Sequence, residues 1–144
     1  MVYRACGADV KVAAEMACRL WPEHAVEEMA AEFGELACND DAAVFIAEEA
    51  GKAVGFAQCQ LRHDYVEGTE TSPVGYLEGI YVDEAYRGRG IARELLEACE
   101  EWARGKGCAE FASDCEIDNT DSLKFHLKVG FKEEGRIICF AKKL

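Results

Sequence analysis

The sequence predicts a single α/β domain built on one mixed central sheet with helices on both faces. Three observations carry that expectation. Four stretches repeat apolar residues at helical spacing, and they alternate with runs rich in β-branched and aromatic residues. The resulting order β-α-α-β-β-β-α-β-α-β includes a strand–helix–strand passage from Tyr76 to Ile117, which is a right-handed parallel crossover if those strands are neighbours. At 144 residues the chain is long enough for a sizeable core and too short for two domains, so residues 1–144 are read as one unit.

Val2 to Cys6 is a short first strand. From Ala8 to Leu20, the residues Val12, Ala13, Met16, Ala17 and Leu20 share one helix face. Trp21-Pro22 ends that helix, because the residue before proline is pushed out of the helical region. Trp21 at this junction is either a core plug or an exposed platform. Glu23 to Ala37 forms a second helix with Met29, Ala30 and Phe33 inward and glutamates outward. Ala43 to Glu49 and Lys52 to His63 form a hairpin about Ala50-Gly51, and Asp64 to Pro73 is a polar loop. Tyr76 to Val82 suits a covered strand. A helix from Gly88 follows, with Ile91, Leu95, Ala98, Cys99 and Trp102 on one face and Gly105 and Gly107 at its end. Cys108 to Ile117 reads as a strand. Asp118-Asn119 caps a helix to about Val129, Gly130 terminates it, and Phe131 to Lys143 supplies one or two last strands.

Composition removes several classes of function. The 28 acidic and 16 basic side chains give a net charge of −12, which repels nucleic acid and anionic membranes and suits a cationic partner. No apolar run approaches the ~20 residues that span a bilayer. The N-terminus lacks a basic region leading into an apolar stretch, so a cytoplasmic protein is expected. The eight cysteines include no Cys-x-x-Cys pair and read mostly as small buried hydrophobes, Cys115 among them. His24, His63 and His126 show no ligand spacing with them, so no metal is expected.

The chemistry is concentrated between Val74 and Ala92. A strand there feeds a turn and the helix start Arg87-Gly88-Arg89-Gly90-Ile91-Ala92. Glycines let the chain turn tightly and let a ligand approach unpartnered N–H groups at the positive end of a helix dipole, which makes an anion site. Arg93 occupies the third glycine position of a dinucleotide fingerprint, and no Gly-Lys-Ser/Thr follows, so neither common nucleotide motif applies. The pattern Arg-x-x-Gly-x-Ala at Arg87, Gly90 and Ala92 instead resembles the pyrophosphate loop of the GCN5-related N-acetyltransferase (GNAT) superfamily. That resemblance implies acetyl-CoA as co-substrate. It also implies splayed central parallel strands, here Tyr76–Val82 and Glu110–Cys115, with acetyl-CoA entering the gap.

Downstream, Asn119, Gly130 and Phe131 match the superfamily's Asn-x-x-Ala-x-x-x-Tyr-x-x-x-Gly-Phe segment, with Ser122 for the alanine and His126 for the tyrosine. In many relatives that tyrosine is thought to protonate the departing thiolate. His126 either replaces it, as an imidazole can near neutral pH, or only packs near the co-substrate. The segments Tyr65–Val82 and Glu110–Asp114 resemble bacterial aminoglycoside 6'-N-acetyltransferases more narrowly. Independently, Glu78 and Asp114 interrupt apolar strands, where a carboxylate is costly unless paired or facing a wet cleft.

The implied chemistry is direct transfer to an amine without an acyl-enzyme. A lysine-like amine is protonated at pH 7, and making it nucleophilic costs ~4–5 kcal/mol. Asp114 and Glu78 can bind the cation and accept its proton. Trp21, Tyr65, Glu67 and Glu70 are candidates for the outer wall of the acceptor site. Backbone groups of Ile80, Tyr81 and Val82 should pair with the pantetheine arm, and the N–H of Tyr81 or Val82 can polarise the thioester carbonyl. Asn119 joins the co-substrate residues by resemblance, and Arg89, Arg93 and Lys124 are candidates for the ribose phosphate. Two rival readings remain: a polyamine, other small amine or peptide N-terminus as acceptor, or a non-catalytic acyl-CoA-binding module. Relatives of this kind are commonly homodimers, and Ile137–Ala141 either pairs across a symmetry axis or completes its own sheet.

Overall fold

In the computed structural model, which describes residues 1–144, the apolar runs become five strands. They are β1 (Val2–Arg4), β2 (Ala42–Glu49), β3 (Lys52–Arg62), β4 (Val74–Val82) and β5 (Phe111–Ser113). The periodic stretches become α1 (Asp9–Leu20), α2 (Val26–Ala37), α3 (Ile91–Gly105) and α4 (Thr120–Lys128), with one 3₁₀ turn at Glu84–Tyr86. The sheet order is β1-β2-β3-β4-β5, antiparallel except for the parallel β4–β5 pair. A two-residue loop closes the β2–β3 hairpin. Ala50 and Gly51 both have positive φ, as the twist of a tight hairpin requires.

Alternation along the strands sends side chains to two cores. On one face, Val44, Ile46 and Phe56 pack against Ala13, Met16 and Ala17 of α1 and Met29 and Phe33 of α2. On the other, Phe45, Ala57, Cys59 and Leu77 pack against Ile91, Leu95, Leu96 and Cys99 of α3. Several expectations shift. In α1 the buried stripe takes Val10 and Ala14, while Val12 is exposed. α2 begins at Val26 because a turn follows Pro22. α3 begins at Ile91, since Gly88 and Gly90 both have positive φ and cannot be helical. Only Cys59 and Cys99 are fully buried; Cys6, Cys38, Cys115 and Cys139 are exposed, which corrects the reading of Cys115 as core.

The largest departure is at the C-terminus. The residues 108–117 yield only the three-residue β5, and 131–144 form no strand. Ile137, Ile138 and Phe140 are 76%, 82% and 91% exposed. A strand exists only where a neighbouring edge supplies backbone partners, and β5 is too short to offer a long one within the chain.

Candidate active site

The ladder between β4 and β5 stops short, leaving a gap where the two strands part. They pair only from Gly75–Phe111 to Leu77–Ser113, and beyond Leu77 one edge of β4 has no strand partner. Gly75 holds the closed end, because a Cβ there would lie 2.5 Å from the Phe111 ring and 2.7 Å from Ala103. At the open end the register against β3 skips Glu78: Gln58 faces Gly79 and Cys59 faces Leu77. The extra residue is a β-bulge, which bends its strand and re-aims the bulged side chain. This bulge coincides with the parting of the strands. Ile80, Tyr81 and Val82 therefore have one backbone edge without a strand partner.

The bulge puts Glu78 among charged neighbours. Its side chain is 20% exposed, and Arg62 Nε and Nη2 donate to Oε1 and Oε2 at 3.0 and 2.9 Å. Burial raises the Glu78 carboxyl above the usual carboxylate range; Arg62 opposes that shift, and Asp114 reinforces it. Asp114 is exposed just past β5 and accepts a hydrogen bond from the Tyr76 hydroxyl through Oδ2. Burial, and then this bond to Asp114, raise the Tyr76 phenol well above its ordinary value, so it stays a neutral donor. Neither carboxylate is sealed in the interior.

His126 reaches the same parting point from α4. Its Nδ1 lies 2.7 Å from the Ser122 carbonyl and its Nε2 lies 2.8 Å from Ser113 Oγ. A carbonyl only accepts, so Nδ1 carries a proton, and Nε2 shares the second bond with the Ser113 hydroxyl. Phe131 packs on the ring at 5.1 Å. Gly130, with φ 104°, turns the chain so that the Phe131 N–H reaches the His126 carbonyl at 3.0 Å.

The glycine corner lies at the other end of β4. Arg87 Nε donates to the Val82 carbonyl at 2.8 Å, which ties the loop to the strand. Gly88 and Gly90 take φ of 76° and 85°, and a Cβ at either would meet no atom within 4 Å. The first helical donor with a backbone acceptor is Glu94, to Gly90 at 3.0 Å, so the N–H groups of Ile91 and Ala92 are free at the start of α3. These groups fit a pyrophosphate. Arg89 contacts Glu49 at 3.4 Å and the Ala85 carbonyl at 3.3 Å, while Arg93 and Lys124 are exposed.

The remaining candidates divide. Trp21 is half-buried against Gly79 of β4 and meets Phe56 edge-on at 6.2 Å, so it both packs and borders the cleft strand. Tyr65, Glu67 and Glu70 are exposed on the loop before β4. Glu110 Oε1 accepts from the N–H groups of Glu70 and Thr71 at 2.9 and 2.8 Å, which pins that loop to β5. Asn119 spends its Oδ1 on the α4 N-cap, accepting from Ser122 N at 3.1 Å. Sequence reading missed Arg62, Tyr76, Ser113 and Glu110. Tyr76, Ser113 and Glu110 lay inside quoted segments, but nothing marked them as contacts. No group of three or more His, Cys, Asp or Glu side chains is placed to hold a metal.

The model of the acetyltransferase (GNAT) family matches residues 11–131. The chain belongs to that family. Among GNAT relatives it is 44% identical over 125 residues to an aminoglycoside N(6')-acetyltransferase type 1 of Salmonella typhimurium, covering 87% of this chain and 86% of that one. It is 40% identical over 144 residues to an enzyme of the same name from Stenotrophomonas maltophilia, covering 99% and 93%. The GNAT fold is also matched at full length by solved structures. The acetyltransferase AAC(6')-Iy in complex with a bisubstrate analogue, CoA-S-monomethyl-acetylneamine, superposes with a TM-score of 0.96 at 38% identity, covering 100% of this chain and 98% of that one. The same enzyme with CoA gives 0.97 at 38% identity, covering 100% and 95%.

Proposed function

We propose that this chain transfers the acetyl group of acetyl-CoA directly to the 6'-amine of aminoglycoside antibiotics, an activity that confers resistance. The observation that carries the reading is the placement of Glu78 and Asp114 together where β4 and β5 part, in a cleft whose far end is a phosphate-fitting glycine corner. The full-length likeness to enzymes named for this reaction supports it.

Acetyl-CoA supplies an activated acetyl thioester. Free N–H groups at Gly88 to Ala92 hold the pyrophosphate, and the edge of Ile80–Val82 aligns the pantetheine arm as an added strand. The N–H of Tyr81 or Val82 faces the thioester oxygen and stabilises the negative charge that develops there. Asp114 and Glu78 form the acidic pair beside the cationic acceptor, and one of them takes the ammonium proton, directly or through water. His126, held by Ser122 and Ser113, gives the departing sulfur a proton from Nε2 when the ring is an imidazolium. Trp21, Tyr65 and Glu70 border the acceptor, and Asn119 serves the co-substrate side by shaping the start of α4.

We place the enzyme in the cytoplasm, whose reducing conditions suit eight free cysteines. No helix is long and apolar enough to cross a membrane. We also infer a homodimer. The exposed apolar run at Ile137, Ile138 and Phe140 is rich in strand-forming residues but has no edge to pair with, and a second copy supplies one. Thiol release from acetyl-CoA with kanamycin tests the reaction. Rapid turnover is expected; turnover only with polyamines or peptides would move the acceptor, and CoA binding without thiol release would end the enzymatic reading.

A further inference from the structure

Arg62 is the last residue of β3, opposite Val74 in the ladder, and its guanidinium is held in two ways at once. Its face lies 3.4 Å from the centroid of the Tyr76 ring. Its edge forks both oxygens of Glu78 at 3.0 and 2.9 Å. Stacking plus a planar fork is a combination that arginine makes and lysine does not. The same Tyr76 donates its hydroxyl to Asp114. One aromatic side chain therefore carries the cation on its face and the second carboxylate at its tip.

We propose that Arg62 is a positioning residue for acetyl transfer, an internal counter-cation that holds Glu78 as an oriented carboxylate and leaves Asp114 to meet the acceptor's ammonium group. The charge arrangement supports the division of labour. Glu78 and Arg62 neutralise each other, whereas the partner of Asp114 is an uncharged phenol. Asp114 is exposed and Glu78 is mostly covered, so an incoming cation meets Asp114 first. The charged and titratable groups facing Glu78 are Arg62 from β3, Tyr76 on β4 and Asp114 beyond β5. Of these only Arg62 favours the ionised form of Glu78; burial and Asp114 both oppose it. Without Arg62, two carboxylates would share one opening with no resident positive charge, and the buried one would take up a proton.

The kinetic half of this inference rests on the acceptor-site reading above, and the titration half does not. The test compares wild type with Arg62→Met and Arg62→Lys, each checked for a cooperative melt, with Arg62→Gln in place of any variant that does not fold. Glu78 is followed by carbon-13 NMR of its carboxyl group, and thiol release with kanamycin is followed against pH. In Arg62→Met the Glu78 midpoint should move up by about one pH unit or more, and the acidic limb of kcat/KM should move up with it. CoA affinity should stay within about threefold, and lysine should restore less than about a tenth of the lost rate. An unmoved Glu78 midpoint overturns the role of Arg62, whatever the turnover. A moved midpoint in an enzyme whose wild type ignores every aminoglycoside supports Arg62 as the counter-cation and removes the acceptor reading instead. Equal loss of kcat/KM at all pH values, with Glu78 titrating as in wild type, would reduce Arg62 to a structural strut.

Discussion

His126 Nε2 sits 2.8 Å from Ser113 Oγ, and this one contact bridges α4 to the last residue of β5 where β4 and β5 separate. The ring cannot rotate freely, because its Nδ1–H is spent on the Ser122 carbonyl at 2.7 Å. With Nδ1–H held there, the protonated ring can give its Nε2 proton to a leaving thiolate. His126→Asn should lower kcat by about 10²-fold while leaving the CoA dissociation constant within about threefold. Ser113→Ala should cost less, since it frees the ring without removing it. A His126→Asn enzyme with wild-type kcat would show that solvent protonates the thiolate.

Asp114 makes a separate case. It is exposed, held by a single neutral donor and remote from the glycine corner along β4. Asp114→Asn keeps the shape and the Tyr76 bond but removes the charge that attracts an ammonium group. Acceptor kcat/KM should fall by about 10²-fold or more, with CoA affinity nearly constant. Parallel loss of both in isothermal titration and steady-state assays would point to a folding role.

How much of this was legible beforehand follows from where each residue sits in its pattern. Glu78 and Asp114 stood out because a carboxylate interrupts an apolar strand, and the glycine corner stood out because its letters have few other uses. Tyr76 and Arg62 were invisible for the opposite reason. A tyrosine inside a strand reads as filler, and an arginine at a strand end reads as a solvated terminus. Their meaning lies in cross-strand contacts that no periodicity encodes. The helices were legible to within a few residues, but the rotation of α1 was not: Val12 and Val10 fit a helical stripe about equally, and packing selects Val10. β5 and the C-terminal segment share one cause of error. Apolar alternation from residue 108 and from residue 131 suggests strands, while only a neighbouring edge can make them.

Trp21 and Gly79 give a steric test. A Cβ at Gly79 would lie 2.5 and 2.7 Å from two carbons of the Trp21 ring, so alanine there must displace the indole. Overpacking of this kind costs about 1–3 kcal/mol. Gly79→Ala should lower the melting temperature and raise the acceptor KM, and adding Trp21→Phe should recover part of the stability. If Gly79→Ala melts like wild type, the close approach of the ring is not maintained in solution.

Glu110 links pH to the loop before β4. Thr71 and Glu70, by donating to its carboxylate, hold it below the usual range. The sign follows from that depression: the bonds add stability above the ordinary glutamate range, near pH 4 to 5, and lose it as pH falls through the lower folded value. Measured against the intrinsic amide rate, hydrogen exchange at Glu70 and Thr71 should therefore be slow at neutral pH and lose that protection under acid. Glu110→Gln should show fast exchange there at every pH and a higher acceptor KM. Slow exchange in that variant would mean that the loop is held by other contacts.

The exposed tail makes a prediction about assembly. Ile137, Ile138 and Phe140 each show more than three quarters of their surface, a grouping that an isolated soluble chain rarely leaves to water. The edge beyond β5 is likewise without a strand partner in the sheet. Pairing the two across copies removes both exposures at once, and a twofold arrangement does it reciprocally. Sedimentation equilibrium should therefore give twice 15.9 kDa for the wild type at micromolar concentration. Ile138→Asp should shift the mass toward a single chain, because a charge in the paired strand would be stripped of water on association. Its thermal midpoint should also lose the dependence on protein concentration that a dimer imposes. A wild type that sediments as one chain, with slow hydrogen exchange in residues 137–141, would return the tail to the edge of its own sheet.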